Sequence, residues 1–140
     1  DLAISVFFTH SMNSCLLYQS TFKDTDNLFM SIHRSSDDNF IGTLTTYVSI
    51  HYGTADMDIL IGDRSTWCKG YGLDAWVVMS DWLLGQKDIR KLTADTMACN
   101  FGMIKLMERS DMTLEATRTA QEMVNGCPVG ILYYAKFHEN

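Results

Sequence analysis

The dipeptide Asn125-Gly126, set between two β-prone runs, constrains this chain more than any other local signal. Both central positions of a two-residue type I′ turn need positive φ, which Asn tolerates and Gly adopts without steric cost. The flanking runs, Met112 to Val124 and Val129 to Phe137, are therefore expected to fold back as an antiparallel hairpin. Pro128, the single proline, stands at the start of the second run, where a missing N–H donor costs least. A similar pattern lies upstream. Leu28 to His33 is a short apolar strand, Arg34 to Asn39 is turn chemistry, and Phe40 to about His51 is a strand rich in Thr, Tyr, Val and Ile. Tyr52-Gly53-Thr54 then reverses the chain and Ala55 to Ile61 returns it.

Between the hairpins the period changes. Leu73, Trp76, Val77, Ser80, Leu83 and Leu84 fall on one face of a helix that ends near Gly85. Arg90 to Met97 reads as a strand and Asn100 to Arg109 as a short helix, while His10 to Tyr18 carries a weaker helical pattern through Met12, Cys15 and Leu16. The order of strand pair, glycine loop, helix, strand, helix and strand pair predicts a mixed α/β (α+β) fold. At 140 residues and 46% apolar content the chain has material for one core, and residues 1–140 are expected to form a single domain.

Charge and cysteine usage narrow the functions. With 17 acidic and 11 basic residues the net charge is -6, the wrong sign for neutralising nucleic-acid phosphates, so no nucleic-acid partner is expected. No apolar run approaches the ~20 residues needed to span a bilayer, so no membrane partner is expected either. Cys15, Cys68, Cys99 and Cys127 stand singly, without a C-x-x-C pair or a His at ligand spacing. That predicts neither a zinc site nor a disulfide framework. Free thiols without a signal peptide point to the cytoplasm, and a start at Asp1 rather than Met reads as missing or processed.

Lys69-Gly70-Tyr71-Gly72 places two glycines just before a helix, where free backbone N–H groups and the positive end of the dipole can cradle a phosphate that a Cβ would hold off. Gly70-x-Gly72-x-x-Ala75 also fits the relaxed dinucleotide fingerprint, although the polar stretch Asp63 to Lys69 intervenes where a strand should lead straight in. An ordinary loop-to-helix turn is the plainer alternative.

The segment Trp67-Cys68-Lys69-Gly70-Tyr71-Gly72 resembles the pyrophosphate-binding pattern Q/R-x-x-G-x-G/A of the GNAT superfamily of N-acetyltransferases. Phe40-Ile41-Gly42-Thr43 is similar to the family's "IG" strand, and Ala55 through Asp63 to its "AEIGI-I-D" strand. Lys91-Leu92-Thr93-Ala94 through Asn100, followed by Ile104 to Glu108, is similar to its "KL-A-V-A-N--SI-L-E" stretch. Leu114 to Arg118 and the hairpin at Gly126 extend the likeness to roughly Asn27 to Phe137, within the ribosomal-protein and amino-sugar acetyltransferase branches. Trp67 stands where Gln or Arg is usual, Met103 replaces a common Ser, and Asp111-Met112 replaces Gly-Phe. Met107 occupies a position where many relatives carry a Tyr proposed to protonate the leaving thiolate.

The resemblance implies a GNAT fold, with a mixed central sheet of about six strands splayed between the fourth and fifth and flanked by helices; the family's first strand has no counterpart before Leu2. It implies acetyl-CoA as cofactor and transfer of the acetyl group, by direct attack on the thioester, to a primary amine of an amino sugar, polyamine or antibiotic, or to a protein N-terminus. A catalytically impaired CoA-binding module is the alternative. Backbone donors around Ile59, Leu60 and Ile61 would hold the pantetheine as another strand. The amides of Lys69, Gly70, Tyr71 and Gly72 would hold the pyrophosphate. Asn100 would touch the pantetheine, though Asn at a helix start is also a good N-cap. Asp56 and Asp58 share one face of their strand, so mutual repulsion and partial burial can raise a pKa toward that of a base, or the pair can attract a cationic amine. Solvated positions on a hairpin are the plain alternative; of the two, Asp56 falls on the family's acidic position. His33 and His51 read as surface residues. Tyr133 and Tyr134 point to opposite faces of the last strand, where core or surface packing is their plain role, and one can reach the thiolate if Met107 cannot. The sheet edge left by the absent first strand is expected to admit a second copy of the chain as a homodimer.

Overall fold

The computed structural model describes residues 6–8, 15–19 and 27–139, and of the side chains in the first two segments only that of Leu17. In chain order the elements are β1 (Val6–Phe8), β2 (Cys15–Gln19), β3 (Asn27–Arg34), β4 (Phe40–Ser49), β5 (Thr54–Ile61), α1 (Tyr71–Leu84), β6 (Lys91–Met97), α2 (Phe101–Arg109), β7 (Thr113–Val124) and β8 (Cys127–Phe137). One sheet holds all eight strands in the order β1-β2-β3-β4-β5-β6-β8-β7. Strands β3 to β8 are the six that sequence patterning predicts; β1 and β2 extend the same sheet at one edge.

Cys15–Gln19 is a strand, not the helix that the spacing of Met12, Cys15 and Leu16 suggests, and residues 10–14 of that stretch lie outside the described residues. The reason is tertiary. Five consecutive residues pair antiparallel with β3, from Cys15↔Arg34 to Gln19↔Met30, which turns Leu17 onto the apolar face beside Ile32, where both are fully buried.

Alternation along the strands makes one face apolar and the other polar. Leu17, Met30, Ile32, Leu44, Met57, Leu92 and Ala94 are buried on the first face, covered by Ala75, Trp76, Met79 and Leu83 of α1 and by Met107 of α2. The buried stripe of α1 is rotated from the expected one: Leu73 and Val77 are only half-buried, whereas Ala75 and Met79 are in the core. On the opposite face lie Phe29, Ser31, Thr43, Thr45, Tyr47, Asp56 and Asp58, in register across β3, β4 and β5.

The C-terminal hairpin turns at Asn125 and Gly126, with φ of 49° and 78°, the positive pair that a type I′ turn requires. Its ladder is interrupted between Arg118 and Glu122, where Ala120 takes a φ of 51°. No described helix is long and apolar enough to cross a membrane.

Candidate functional site

The sheet splays at one seam, between β5 and β6. β5 pairs with β4 along its whole length, from Ser49↔Thr54 to Gly42↔Ile61. With β6 it forms a parallel ladder of only Thr54↔Lys91, Ala55↔Leu92 and Asp56↔Thr93, after which β6 continues against β8 as far as Met97↔Ile131. On its β6 side, the β5 edge from Met57 to Ile61 thus has no strand beside it among the described residues, and this is where Ile59, Leu60 and Ile61 lie. It forms one side of a V that opens toward the end of β5, the splay expected between these two strands.

At the open end stands the glycine loop. Gly70 is the N-cap of α1 at φ 85° with no side-chain cap, and Cys68 two residues earlier is also left-handed at φ 59°. The first intrahelical bond runs from the Asp74 amide to the Gly70 carbonyl at 3.0 Å, so the amides of Tyr71, Gly72 and Leu73 precede the helical ladder. A Cβ on Gly72 would come 3.5 Å from Leu106 Cδ1 and 3.7 Å from Ile61 Cγ1, which fixes the loop between the end of β5 and α2.

Trp67 explains how the loop is held there. Its indole N–H donates to the Ile61 carbonyl at 2.8 Å, tying the loop to the last residue of β5, and the Arg64 guanidinium lies 5.4 Å from its ring centroid. Asp63 accepts from the Ser65 amide at 2.9 Å and hydroxyl at 2.7 Å and caps the 3₁₀ turn Arg64–Thr66. Those two bonds hold its carboxyl below the usual carboxylate range, with the nearby charges of Arg34 and Lys69 acting in the same direction.

Asp56 sits beside the seam on the polar face. It is half-buried, and Thr93 Oγ1 donates to its Oδ1 at 2.6 Å across the last pair of the parallel ladder. Burial pushes its carboxyl above the usual value. The Thr93 hydrogen bond opposes this, and the charges of Asp95 and Asp58 reinforce it. Asp58 and Asp95 are exposed. Thr93 and Asp95 have no motif of their own in the sequence; only the register of a parallel pair 37 residues apart brings them to Asp56.

Asn100 caps α2, its Oδ1 accepting from the Met103 amide at 3.2 Å. Met107 is fully buried in the core. Tyr134 is buried on the helix-covered face with its hydroxyl donating to Glu108 Oε1 at 3.3 Å, and burial, then the Glu108 carboxylate, pushes its pKa up. Tyr133 lies on the other face, with the Arg118 guanidinium 5.5 Å from its ring centroid. Among the described residues no cluster of His, Cys, Asp and Glu has the geometry to hold a metal. The hollow of about 450 Å³ between Asp111, Leu114, Lys136 and Phe137 is lined by neither β5 nor the glycine loop.

Comparison with known proteins adds three findings. A family model for the acetyltransferase (GNAT) domain matches residues 7–113. No curated protein matches the chain in sequence. Among solved structures, a chimera of spermidine N-acetyltransferase SpeG from Vibrio cholerae and hSSAT aligns with a TM-score of 0.74 at 15% identity, over 82% of this chain and 69% of that one. RimL, a ribosomal L7/L12 alpha-N-protein acetyltransferase in complex with coenzyme A, aligns with a TM-score of 0.72 at 18% identity, over 80% of this chain and 62% of that one. A GNAT-family acetyltransferase from Bacillus anthracis gives 0.71 at 14% identity, over 80% and 67%. At these identities the likeness is one of fold.

Proposed function

The chain belongs to the GNAT acetyltransferase domain family, whose N-acetyltransferases draw on acetyl-CoA, and from that premise we propose that it acetylates a primary amine of a small molecule or of a protein N-terminus. The observation that carries the reading is the three-pair seam between β5 and β6 with a glycine loop at its open end. A strand edge that β6 leaves after three pairs suits an extended pantetheine arm, and a glycine loop at a helix N-terminus suits a diphosphate. Bound there, acetyl-CoA supplies an activated thioester carbonyl.

The residues divide the work as follows. The amides of Lys69, Gly70, Tyr71 and Gly72 hold the anionic end, and the β5 backbone at Ile59, Leu60 and Ile61 aligns the arm. The Asn100 side chain already caps α2, so any contact it makes with the arm is made in addition to that bond. Asp56 takes the proton that the acceptor ammonium must lose before the neutral amine can attack; its burial makes it a better base than an ordinary aspartate, and the Thr93 hydroxyl fixes its orientation. Asp58 and Asp95 draw a cationic acceptor toward the polar face. Polyamine and N-terminal acceptors are the classes named for the structural neighbours, and an amino sugar or antibiotic fits the same chemistry. A homodimer formed through an open sheet edge belongs to the same reading, and a light-scattering mass that stays monomeric across concentrations would remove it.

Calorimetry with CoA, followed by release of free thiol from acetyl-CoA with spermidine, glucosamine and an N-terminal peptide, tests the proposal. Turnover with one acceptor class supports it, and absence of CoA binding removes it. The buried, proton-free Met107 favours a second reading, CoA binding without turnover, which predicts a calorimetric signal and no thiol with any amine.

A further inference from the structure

The loop has lost the polar residue usual at position 67, yet a cation stands over the ring that replaced it. We propose that Arg64 and Trp67 act as one unit, the indole positioning the Arg64 guanidinium as the cation that receives a phosphate of coenzyme A. The inference rests on the reading of the glycine loop as the CoA site.

The geometry is specific. Trp67 is half exposed, and its N–H is already committed to the Ile61 carbonyl at 2.8 Å, so the indole has no donor left for a phosphate. What it offers is a ring face fixed against the end of β5. The Arg64 guanidinium lies 5.4 Å from the centroid of that ring. A guanidinium over an aromatic ring interacts through its flat face, which leaves the N–H groups around its rim free for a phosphate fork. Among the described residues Arg64 forms no carboxylate ion pair within 4.0 Å, and Oδ1 of the neighbouring Asp63 accepts from the Ser65 amide and hydroxyl. A Lys would keep the charge but not the planar fork.

The test is CoA affinity of the 140-residue chain by calorimetry at several salt concentrations. Arg64→Gln is expected to weaken CoA about tenfold, the loss of one charge-assisted contact at a solvent-facing site, and to flatten the dependence of affinity on salt. Trp67→Phe, which keeps a ring but frees the Ile61 carbonyl, is expected to weaken it less. The deciding variant is Arg64→Gln combined with Trp67→Arg, which returns a cation to the usual position and is expected to restore most of the affinity. A merely structural role for Arg64 would not be rescued that way. If wild type binds CoA and Arg64→Gln binds equally well, or the double variant stays weak, the Arg64–Trp67 unit is refuted while the CoA site stands. If wild type does not bind CoA, the site itself is refuted and the unit with it.

Discussion

At the scale of single residues, Asp56 is the proposed base and Thr46 a local defect. Replacing Asp56 with Asn removes the base and is expected to lower kcat/KM about a hundredfold, together with the limb of the pH profile that rises as Asp56 loses its proton. Stability should move the other way. Because the folded state raises the Asp56 pKa, it binds that proton more tightly than the unfolded chain does. Stability is therefore lost as pH rises from about 4, the unfolded value, through the folded one. Asp56→Asn should melt higher than wild type at pH 7, with the gain gone below about pH 3; equal melting temperatures at both would show that Asp56 is not desolvated. Thr46 is fully buried, and among the described residues its hydroxyl has no hydrogen-bond partner. Thr46→Val should stabilise by about 1 kcal/mol in urea unfolding, and a clear loss would mean the hydroxyl is satisfied. Asp56 could be singled out from the sequence because alternation puts it with Asp58 on one face of a recognisable strand. Thr93, its partner, could not, because no local pattern reports a parallel register.

At the scale of elements, the glycines of β4 and of the C-terminal turn do different things. A Cβ on Gly42 would meet the Leu60 carbonyl at 2.2 Å, a backbone atom that can yield only if β5 moves. Gly42→Ala is expected to cost more than about 2 kcal/mol and to weaken CoA binding in step, since the displaced strand is the one proposed to hold the pantetheine. Unchanged affinity in a destabilised variant would separate β5 from the site. Gly126 has open space around its missing Cβ, so Gly126→Val strains only its own backbone, about 1 kcal/mol, and should leave CoA binding alone. The hairpins and α1 were legible because turn chemistry and period coincide there. Cys15–Gln19 misleads because three apolar residues at helical spacing are too few to outweigh a strand ladder, and the α1 stripe is rotated toward Asp74, Ala75 and Met79, which are buried while Leu73 and Val77 keep partial exposure. Arg64 went unnoticed because its meaning depends on Trp67, which the sequence showed only as a departure.

At the scale of the whole molecule, the net charge of -6 coexists with cations gathered at the loop, Arg34, Arg64 and Lys69, so the charge total describes the surface and not the site. A ligand that binds only the folded chain stabilises it by about 2.7 kcal/mol at a hundred times its Kd, and CoA at that excess should raise the melting temperature measurably. No shift at saturation would mean no site.

The short ladder between β5 and β6 also bears on how the chain reaches its fold. The contacts from β1 to β5 join neighbouring segments, as do those of β7 with β8, so each half can form from nearby partners. The seam must bring Asp56 and Thr93 together across 37 residues for only three backbone pairs. Closing so long a loop for so few bonds is slow to be rewarded, which makes the seam the last part of the sheet to set. Thr93→Ala should accordingly speed unfolding and leave the refolding rate nearly unchanged.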